Sequence, residues 1–493
     1  MSKEQWVAKS NEIRIPNQMF IDGEFVSAVS GATFDAISPI DQRVLAKVAA
    51  GDSHDVDKAV AAAKRTFENG VWRDLNPRDK KTIMLKWADL IREHYEEIAL
   101  LETLEVGKPI GDTSGYDALA VARVIQWYGE AIDKRYDEIA PAPTNSLAMI
   151  TREPLGVIGA VVPWNYPIVI ASWKIGPALA MGNSMVLKPS EESSLAILRI
   201  AQLGIEAGIP KGVFNVVTGL GDQAGQALAR HMDVAKIAFT GSGPVGKKML
   251  QYAAESNLKQ VALELGGKSP QVVLDDVVDL DKAASTIAWG IYYNSGQTCN
   301  AGSRVIVHES IKAALTAKLA EFVGNFKVGD PLDPMTQMGP VVSLKQRDRV
   351  NSYLELVGES GEKFIFGGKK PSGNDCYFEP TLIDGVKHDS RLVQEEIFGP
   401  VIVIETFKTD AEALALANGT NYGLAASVWS GNISRAHNFA KKLRAGTVWI
   451  NTFDMSDVIT PFGGFNGSGS GRDKSLHALD GYSALKTTWV DLS

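Results

Sequence analysis

From Gly156 onward, short runs of β-branched and other apolar residues alternate with stretches of a dozen or more residues that have helical spacing. The strand candidates up to Gly266 are residues 157–162, 185–187, 213–217, 237–240 and 261–263. A second series follows at 272–274, 304–307, 401–404 and 447–450. Strands that alternate with helices in this way predict parallel sheets covered by helices on both faces. The predicted fold class is therefore α/β, with two sheet domains that meet near residues 264–268.

The first 150 residues and the last ten carry different signals. Two short apolar pieces around Asp22-Gly23 predict a hairpin. Asn76-Pro77 is a cap residue followed by a proline at the first helical position, and apolar residues then recur at helical spacing as far as Ile98, which predicts one long helix. A second helix is predicted over 116–134 and a strand over 147–151. The terminal strand, 485–490, is too short to be stable alone, so it should pair elsewhere in the chain or with another subunit.

Composition excludes several classes of protein. The chain has 493 residues but only two cysteines, Cys299 and Cys376, which rules out a disulfide scaffold and a thiolate zinc cluster. No metal site is predicted. The net charge is −8 and no Lys/Arg run is longer than two, which argues against a nucleic-acid partner. The longest apolar stretch, 155–164, is too short to span a bilayer, so we expect a soluble protein of the reducing cytoplasm, without a membrane partner.

Cys299 and Glu264 are the two candidates for chemistry. A free cysteine is usually a small buried hydrophobe, yet Cys299 lies among small and amide residues, where backbone N–H groups could stabilise an exposed thiolate. None of the seven histidines lies in a similar turn, which disfavours a Cys-His hydrolase. Glu264 ends an apolar strand before a Gly-Gly turn, a setting that raises a carboxyl pKa and suits a general base. The alternative for Glu264 is an ion pair with Lys268.

A dinucleotide-binding signal competes for the same glutamate. Residues 241–246 read Gly-x-Gly-x-x-Gly between a strand and a helix, the context of a nucleotide site. That motif expects a ribose-binding acid about twenty residues later, which would be Glu264. Lys188 and Glu191, at the carboxyl end of another strand, offer a second ribose site. If Glu191 holds the ribose, Glu264 is free to act as a base.

Seven segments, in this order, resemble the aldehyde dehydrogenase superfamily, and the resemblance covers about residues 20–489. They are Val162-Pro-Trp-Asn-Tyr-Pro, Leu187-Lys-Pro-Ser-Glu, Phe239-Thr-Gly-Ser, Leu263-Glu-Leu-Gly-Gly-Lys-Ser, Gly296-Gln-Thr-Cys, Glu395-Glu-Ile-Phe-Gly-Pro and Pro461-Phe-Gly-Gly. The resemblance implies a cofactor domain (1–134 and 155–264), a catalytic domain (265–475) and a small β oligomerisation element (135–154 and 476–493). It also implies a homodimer or homotetramer.

The resemblance assigns roles residue by residue. Cys299 matches the nucleophile, Glu264 the base that activates hydrolytic water, Asn165 the amide that stabilises the oxyanion, and Lys174 a lysine proposed to relay protons. An aldehyde would then be oxidised to its acid through a thiohemiacetal and a thioester. The cofactor contacts implied are Val162, Pro163, Trp164, Lys188, Glu191, Gly241, Ser242, Val245, Leu265, Gln346, Glu396 and Phe398. An acid at Glu191 favours NAD, with some NADP use because Lys188 is near, and the glycine match at 241–246 is then partly coincidence.

The substrate side is less sharply indicated. The resemblance places Tyr166, Trp173 and Phe462 in an aromatic tunnel, although each could equally be core packing. Asp457 beside them would attract a cationic or amide-bearing tail, whereas Asp454 reads as a solvated loop residue or a cap.

Three further stretches, 100–110, 127–134 and 471–479, look like bacterial enzymes of putrescine and arginine breakdown. These oxidise γ-glutamyl-γ-aminobutyraldehyde, 4-guanidinobutyraldehyde or 4-aminobutyraldehyde. Two departures stand out: Asn466 replaces a common lysine, and Ala120 lies where some aminoaldehyde enzymes carry an acid, with Asp117 one turn earlier. Alternatives are a betaine-aldehyde or broad aliphatic enzyme, a CoA-acylating semialdehyde dehydrogenase, which needs no base, and a non-catalytic binding protein. Esterase side activity is also expected.

Overall fold

The computed structural model describes residues 1–373 and 375–493. The helices are α1 (Lys3–Glu12), α2 (Ser53–Glu68), α3 (Pro77–Glu93), α4 (Tyr95–Val106), α5 (Ile110–Asp112), α6 (Ala118–Ala131), α7 (Pro167–Ala180), α8 (Leu195–Ala207), α9 (Gln226–Arg230), α10 (Gly243–Ala254), α11 (Leu280–Tyr292), α12 (Lys312–Gly324), α13 (Leu344–Leu354), α14 (Arg391–Gln394), α15 (Asp410–Asn418), α16 (Ile433–Ala440) and α17 (His477–Asp480). None of the described helices is both long enough and apolar enough to cross a membrane.

The strands form three larger sheets and one two-stranded ribbon, β3 with β4. They are β1 (Met19–Ile21), β2 (Glu24–Val26), β3 (Thr33–Ile37), β4 (Val44–Ala49), β5 (Glu138–Ala140), β6 (Ser146–Pro154), β7 (Val157–Val161), β8 (Ser184–Lys188), β9 (Phe214–Val216), β10 (Val234–Thr240), β11 (Gln260–Glu264), β12 (Pro270–Val273), β13 (Arg304–His308), β14 (Lys363–Phe366), β15 (Thr381–Asp384), β16 (Val401–Phe407), β17 (Ala425–Trp429), β18 (Thr447–Ile450) and β19 (Ser483–Asp491).

The first large sheet has the order β11-β10-β7-β8-β9-β1-β2. The first five strands in this order run parallel, and they are the five strands predicted between residues 157 and 263. Strands β7 and β8 are buried along their whole length, because helices cover both faces of the sheet. The predicted hairpin forms the antiparallel edge: Asp22 (φ 54°) and Gly23 (φ 79°) make its two-residue turn. Strand β11 ends at Glu264, which places that side chain at the carboxyl ends of the parallel strands.

The second large sheet has the order β14-β15-β16-β13-β12-β17-β18 and is parallel except for β14. Strands β12, β13, β16 and β18 were predicted. The sequence analysis missed β17, which reads Ala-Ala-Ser-Val-Trp and carries too few β-branched residues to stand out, together with β14 and β15. The two-sheet α/β prediction is confirmed.

The helical predictions need two corrections. Asn76 does cap α3, accepting a hydrogen bond from the Arg78 N–H, but α3 ends at Glu93 and a new helix starts at Tyr95. His94, at φ −103° and ψ 17°, makes the break, so the predicted single helix to Ile98 is wrong. The second predicted helix begins at Ala118 and is preceded by a π-helical turn, Thr113–Asp117.

The chain's last strand pairs within the chain. Strand β19 runs antiparallel to β6 over nine residue pairs, and β5 continues the sheet on the other side. The outer edge of β19 is uncovered in the single chain, and Leu485 and Trp489 on that strand are 67% and 61% exposed. The uncovered edge is the feature that an oligomer would cover.

Candidate active site

The loop that carries Cys299 is held rigidly in place. It follows α11 through a 3₁₀ turn, Tyr293–Gly296, in which Asn294 and Ser295 have left-handed conformations (φ 49° and 56°). Gly296 is also left-handed, and a Cβ there would lie 2.0 Å from the Gly399 oxygen, so only glycine fits. The Gln297 side chain accepts a hydrogen bond from Val342 N at 2.9 Å. Strain of this kind, fixed by surrounding contacts, is typical of functional sites.

The Cys299 side chain is partly exposed, but its surroundings disfavour the thiolate. Burial in the cleft raises the pKa of the thiol, and the negative charges of Glu396, Glu264 and Asp454 raise it further. The Asn300 backbone N–H lowers this pKa, as predicted for a thiolate in a turn, but one donor is outweighed. The thiol must therefore lose its proton to a base when it attacks.

Glu264 is a buried carboxyl for which the described residues provide no hydrogen-bond partner at either oxygen. Gly463 and Gly471 make room for it: a Cβ at these positions would lie 2.7 Å and 2.8 Å from Glu264 Oε1. Burial and the nearby Asp473 carboxylate raise the pKa of Glu264 well above its ordinary value. The alternative ion pair with Lys268 is not present among the described residues, where the Lys268 ammonium has no hydrogen-bond partner.

Asn165 lies beside the Cys299 loop. Its Nδ2 donates to the Gln297 oxygen at 2.9 Å, and Asn294 Nδ2 donates to the Asn165 oxygen at 3.0 Å. An amide nitrogen carries two hydrogens, so the second N–H of Asn165 can serve a developing negative charge near Cys299.

Lys174 forms a buried ion pair with Asp473, a residue that the sequence analysis did not single out. Both charges act on Glu264, the Asp473 carboxylate raising its pKa and the Lys174 ammonium lowering it. Asp473 lies in the stretch 471–479, which the sequence analysis used only for its resemblance to other enzymes. The available sequence signal was an acid two residues after a glycine.

Lys188 and Glu191 lie together at the carboxyl end of β8. Lys188 Nζ is 3.1 Å from Glu191 Oε2; the lysine is buried, and the Glu191 side chain is 41% exposed. Burial lowers the pKa of Lys188. For Glu191, burial acts to raise the pKa, but the Lys188 charge and the hydrogen bonds to the carboxylate together outweigh it, and the pKa is lowered. Val162, followed by Pro163, continues the adjacent strand, and its N–H donates to the Lys188 oxygen at 3.2 Å. A solvent-facing carboxylate in this place can accept two hydroxyl groups of a ribose.

The glycine motif lies at the start of α10. Ser242 is the N-cap residue, and Val245 is exposed on the first turn. The Gly241 N–H donates to the backbone carbonyl oxygen of Glu264 at 3.1 Å. A Cβ at Gly246 would lie 2.8 Å from the Leu265 side chain, whereas a Cβ at Gly243 would meet nothing within 4 Å. The N–H groups at the start of a helix such as α10 suit a phosphate.

Glu396 lies at the other end of the same cleft. Its Oε1 accepts a hydrogen bond from Gly267 N at 3.1 Å, and burial raises its pKa to about 7. A Cβ at Gly266 would lie 2.1 Å from Glu396 Oε2, so glycine is needed for the carboxylate to reach this place.

Phe398, two residues later, is held by Gln346. Gln346 Nε2 donates to the Phe398 oxygen at 2.7 Å, and Phe398 itself is left-handed (φ 62°). The Phe398 ring meets the Trp164 ring edge-on at a centroid distance of 5.3 Å. Three side chains predicted for the cofactor cleft are thus brought into contact.

Of the three aromatic residues predicted for the substrate, Tyr166 contacts the residue before Cys299, and Trp173 and Phe462 pack against each other. The Tyr166 hydroxyl lies 3.1 Å from Thr298 Oγ1, next to the candidate nucleophile, and the Trp173 and Phe462 ring centroids are 5.5 Å apart. Asp457 is exposed, and its carboxylate accepts the Ile459 N–H at 3.1 Å.

Other polar groups near the tunnel are placed in ways that the sequence did not indicate. Asp454 is exposed, as expected for a loop residue, but its carboxylate accepts a hydrogen bond from Asn300 Nδ2 at 2.7 Å. Asp117 forms a buried ion pair with Lys108, whose ammonium lies 3.8 Å from the Tyr166 ring centroid. The Asp117 carboxylate is thus already paired with Lys108, next to the Tyr166 ring. Asn466 is exposed, has φ 52°, and begins a 3₁₀ turn, Asn466–Ser468.

Comparison with known proteins identifies this arrangement. The model of the aldehyde dehydrogenase family matches residues 25–488. The chain belongs to the aldehyde dehydrogenase family. It is 47% identical, over 99% of its length and 98% of the relative's, to the NADP/NAD-dependent aldehyde dehydrogenase PuuC of Escherichia coli K12.

Two solved structures are similar over 100% of both chains, each with a TM-score of 0.98. One is γ-glutamyl-γ-aminobutyraldehyde dehydrogenase from Burkholderia cenocepacia J2315, at 51% identity. The other is an indole-3-acetaldehyde dehydrogenase complexed with NAD⁺, at 49% identity. This aldehyde dehydrogenase is therefore an oxidoreductase that converts aldehydes to acids. Among the described residues, no group of three or more His, Cys, Asp or Glu side chains could hold a metal ion.

Proposed function

We propose that this aldehyde dehydrogenase uses Cys299 as its nucleophile, with Asn165 and Glu264 in supporting roles. The observation that carries the proposal is the convergence of a partly exposed thiol, an amide donor beside its loop and a buried carboxyl without a hydrogen-bond partner among the described residues. The sulfur bonds to the aldehyde carbon, and the thiol proton goes to a base. The former carbonyl oxygen then carries negative charge.

The Asn165 amide and the Cys299 backbone N–H stabilise that oxygen. One such donor lowers the barrier by about 3 kcal/mol in comparable acyl-transfer sites. The oxyanion re-forms its carbonyl as the carbon gives up hydride, which leaves an acyl group bonded to Cys299 as a thioester.

NAD fits the cleft that runs from Lys188 to Phe398. The exposed Glu191 carboxylate suits the ribose hydroxyls, the first turn of α10 suits a phosphate, and the clearance at Gly266 lets Glu396 face the second ribose. Bound NAD supplies the acceptor for the hydride. Because Glu191 would repel a 2′-phosphate, NAD should be preferred, with Lys188 permitting some use of NADP.

Glu264 completes the cycle as the general base. Its raised pKa suits a group that must take a proton from water near neutral pH, and the water oxygen then bonds to the thioester carbon. The acid leaves and Cys299 regains its proton. The base of the first step returns its proton to Cys299, and the buried Lys174–Asp473 pair provides a route by which the proton taken from water leaves Glu264.

The proposed substrate is an amino-, guanidino- or γ-glutamylamino-butyraldehyde. Support comes from the names of the relatives and from the packed aromatic rings of Trp173 and Phe462, with carboxylates at Asp454 and Asp457 nearby. Asp457 remains the proposed anchor of a cationic or amide-bearing tail.

The same proposal covers the organisation of the chain. We assign the cofactor domain to 1–134 and 155–264, the catalytic domain to 265–475, and subunit contacts to 135–154 and 476–493. The uncovered edge of β19 supports a homodimer or homotetramer, which light scattering of the purified protein will test.

The mechanism is tested by product analysis with NAD and a set of aldehydes. The wild-type protein should release NADH and free acid, and Asp457→Asn should lower kcat/KM for cationic tails more than for neutral ones. Cys299→Ala should abolish oxidation and keep NAD binding. Glu264→Gln should release about one NADH per active site and then stall as the thioester. Normal steady-state turnover by Glu264→Gln would overturn the base assignment.

A further inference from the structure

Lys474 carries a buried ammonium beside two of the aromatic rings proposed for the substrate, and it has no role in the proposed mechanism. Its Nζ lies 5.3 Å from the Trp173 ring centroid and 5.4 Å from the Phe462 ring centroid. The side chain is only 3% exposed, and it donates a hydrogen bond to Ser456 Oγ, in the loop that also carries Asp454 and Asp457. The cation is thus presented between the two aromatic rings assigned to the substrate.

The backbone holds Lys474 in this place at a conformational cost. Lys474 and Ser475 are both left-handed (φ 61° and 52°), which is unusual for two consecutive residues other than glycine. Asp473, just before them, pairs with Phe462 through two backbone hydrogen bonds of 2.8 Å, and Ser475 N donates to the Val458 oxygen at 2.7 Å. Strained residues that are fixed from both sides are typical of ligand sites.

The ammonium is surrounded by negative charge but lacks a direct ion pair. Within the described part of the chain, no carboxylate lies within 4.0 Å of Lys474 Nζ. Burial lowers the pKa of Lys474, and Asp454, Asp457, Asp473 and Cys299 oppose that change from farther away. The anionic group of a bound substrate would therefore complete the ion pair that Lys474 lacks.

We infer that Lys474 selects aldehydes whose tail carries a carboxylate, binding that group while the aldehyde carbon lies at Cys299. The inference rests on the proposed function, and it deepens it by choosing among the tails. A bare cationic tail would meet the Lys474 charge, whereas a tail with both an ammonium and a carboxylate would satisfy Lys474 and the loop carboxylates together. The γ-glutamylamino tail is the one of the three proposed tails that has this pattern.

The test compares three aldehydes of equal chain length: hexanal, 6-oxohexanoate and 6-(trimethylammonio)hexanal. Lys474→Met keeps the length of the side chain and removes its charge. It should lower kcat/KM for 6-oxohexanoate at least about tenfold, change hexanal by less than about threefold, and raise the value for the cationic aldehyde. Lys474→Arg should keep the wild-type order of substrates.

A matched control is Lys80→Met. Lys80 is also buried and also lies over an aromatic ring, 5.8 Å from the Trp72 centroid, but it binds the Arg73 oxygen and lies on α3. Lys80→Met should leave the ratio of 6-oxohexanoate to hexanal unchanged. Calorimetry with adipate, the dicarboxylate product, gives a readout without turnover: binding should weaken about tenfold in Lys474→Met.

The outcomes separate the two proposals. Oxidation of hexanal by wild-type protein, together with an unchanged 6-oxohexanoate to hexanal ratio in Lys474→Met, would overturn the role of Lys474 alone. Equal losses on all three aldehydes would also overturn it, because they indicate a structural role. If the wild-type protein forms no acid from any of the three, the proposed function fails and the inference fails with it.

Discussion

Replacing Gly266 by alanine should damage the cofactor cleft while leaving the fold intact. The new Cβ would lie 2.1 Å and 2.3 Å from the two oxygens of Glu396, far inside van der Waals contact. The atoms it meets are the end of a flexible side chain, so the carboxylate withdraws and gives up its hydrogen bond to Gly267 N (3.1 Å). The folding free energy changes little, but the carboxylate can no longer hold a ribose.

The expected magnitude follows from the bonds that Glu396 would lose. A hydrogen bond to a charged group contributes about 1.5–3 kcal/mol, which corresponds to about ten- to a hundred-fold in affinity. Isothermal calorimetry of NAD binding without aldehyde should therefore show a Kd raised by that factor in Gly266→Ala, with a thermal midpoint close to wild type. Acid formation at saturating NAD should survive, because Cys299 and Glu264 are not displaced.

Gly243→Ala provides the matched control. Gly243 belongs to the glycine motif, but its Cβ would meet nothing within 4 Å and it lies in the first turn of α10, where alanine is favourable. NAD binding should be unchanged. If Gly266→Ala binds NAD as wild type does, Glu396 does not contact the cofactor. If both variants lose affinity equally, the reasoning from side-chain clearance is refuted.

Three further predictions concern charge. Asp454→Asn removes a carboxylate that raises the pKa of Cys299, so iodoacetamide should alkylate Cys299 faster at pH 8; an unchanged rate would contradict this. Asp473→Asn removes a charge that raises the pKa of Glu264 and leaves the Lys174 ammonium unpaired, so the acid limb of the kcat profile should move to lower pH; a move to higher pH would refute it. The raised pKa of Glu264 means that the folded state binds more protons than the unfolded state above the ordinary glutamate pKa, so stability falls as pH rises. Urea unfolding of wild type and Glu264→Gln at pH 5 and at pH 8 tests this. The free energy of unfolding of Glu264→Gln should rise relative to that of wild type by about 1.4 kcal/mol for each pH unit of this range that lies below the folded-state pKa of Glu264. An equal difference between the two proteins at both pH values would exclude a raised pKa of Glu264 as a source of instability.

The strands that the sequence predicted are those in which burial on both faces demands unbroken apolar runs. Strand β17 was not predicted because its small residues pack well in the sheet but give no periodic apolar pattern in the sequence. The break at His94 could not be predicted either, since the apolar spacing continues across it and tertiary packing of α4 decides the turn. Local pattern therefore reported which segments are buried, but not where the chain changes direction.

At the site, the sequence indicated candidate residues better than it indicated which of them contact one another. Cys299 and Glu264 stood out because each interrupts its surroundings, a thiol in a polar turn and an acid in an apolar strand. Lys474 gave no such signal, since a lysine after an aspartate reads as a surface residue. Its burial depends on the backbone pairing of Asp473 with Phe462, a contact between positions that local periodicity does not connect.

The acidic residues around Cys299 show why position, and not residue type, assigns the chemistry. Glu264 has no hydrogen-bond partner among the described residues, and burial raises its pKa well above the ordinary value, which makes its carboxylate a stronger base. Glu396 binds one backbone N–H, which opposes burial and leaves its pKa at about 7. Desolvation by the surrounding residues raises the pKa of Asp454, and a side-chain hydrogen bond from Asn300 opposes that rise. Glu396 and Asp454 thus each accept a hydrogen bond, whereas Glu264 accepts none from the described residues, which makes Glu264 the carboxyl suited to act as the base.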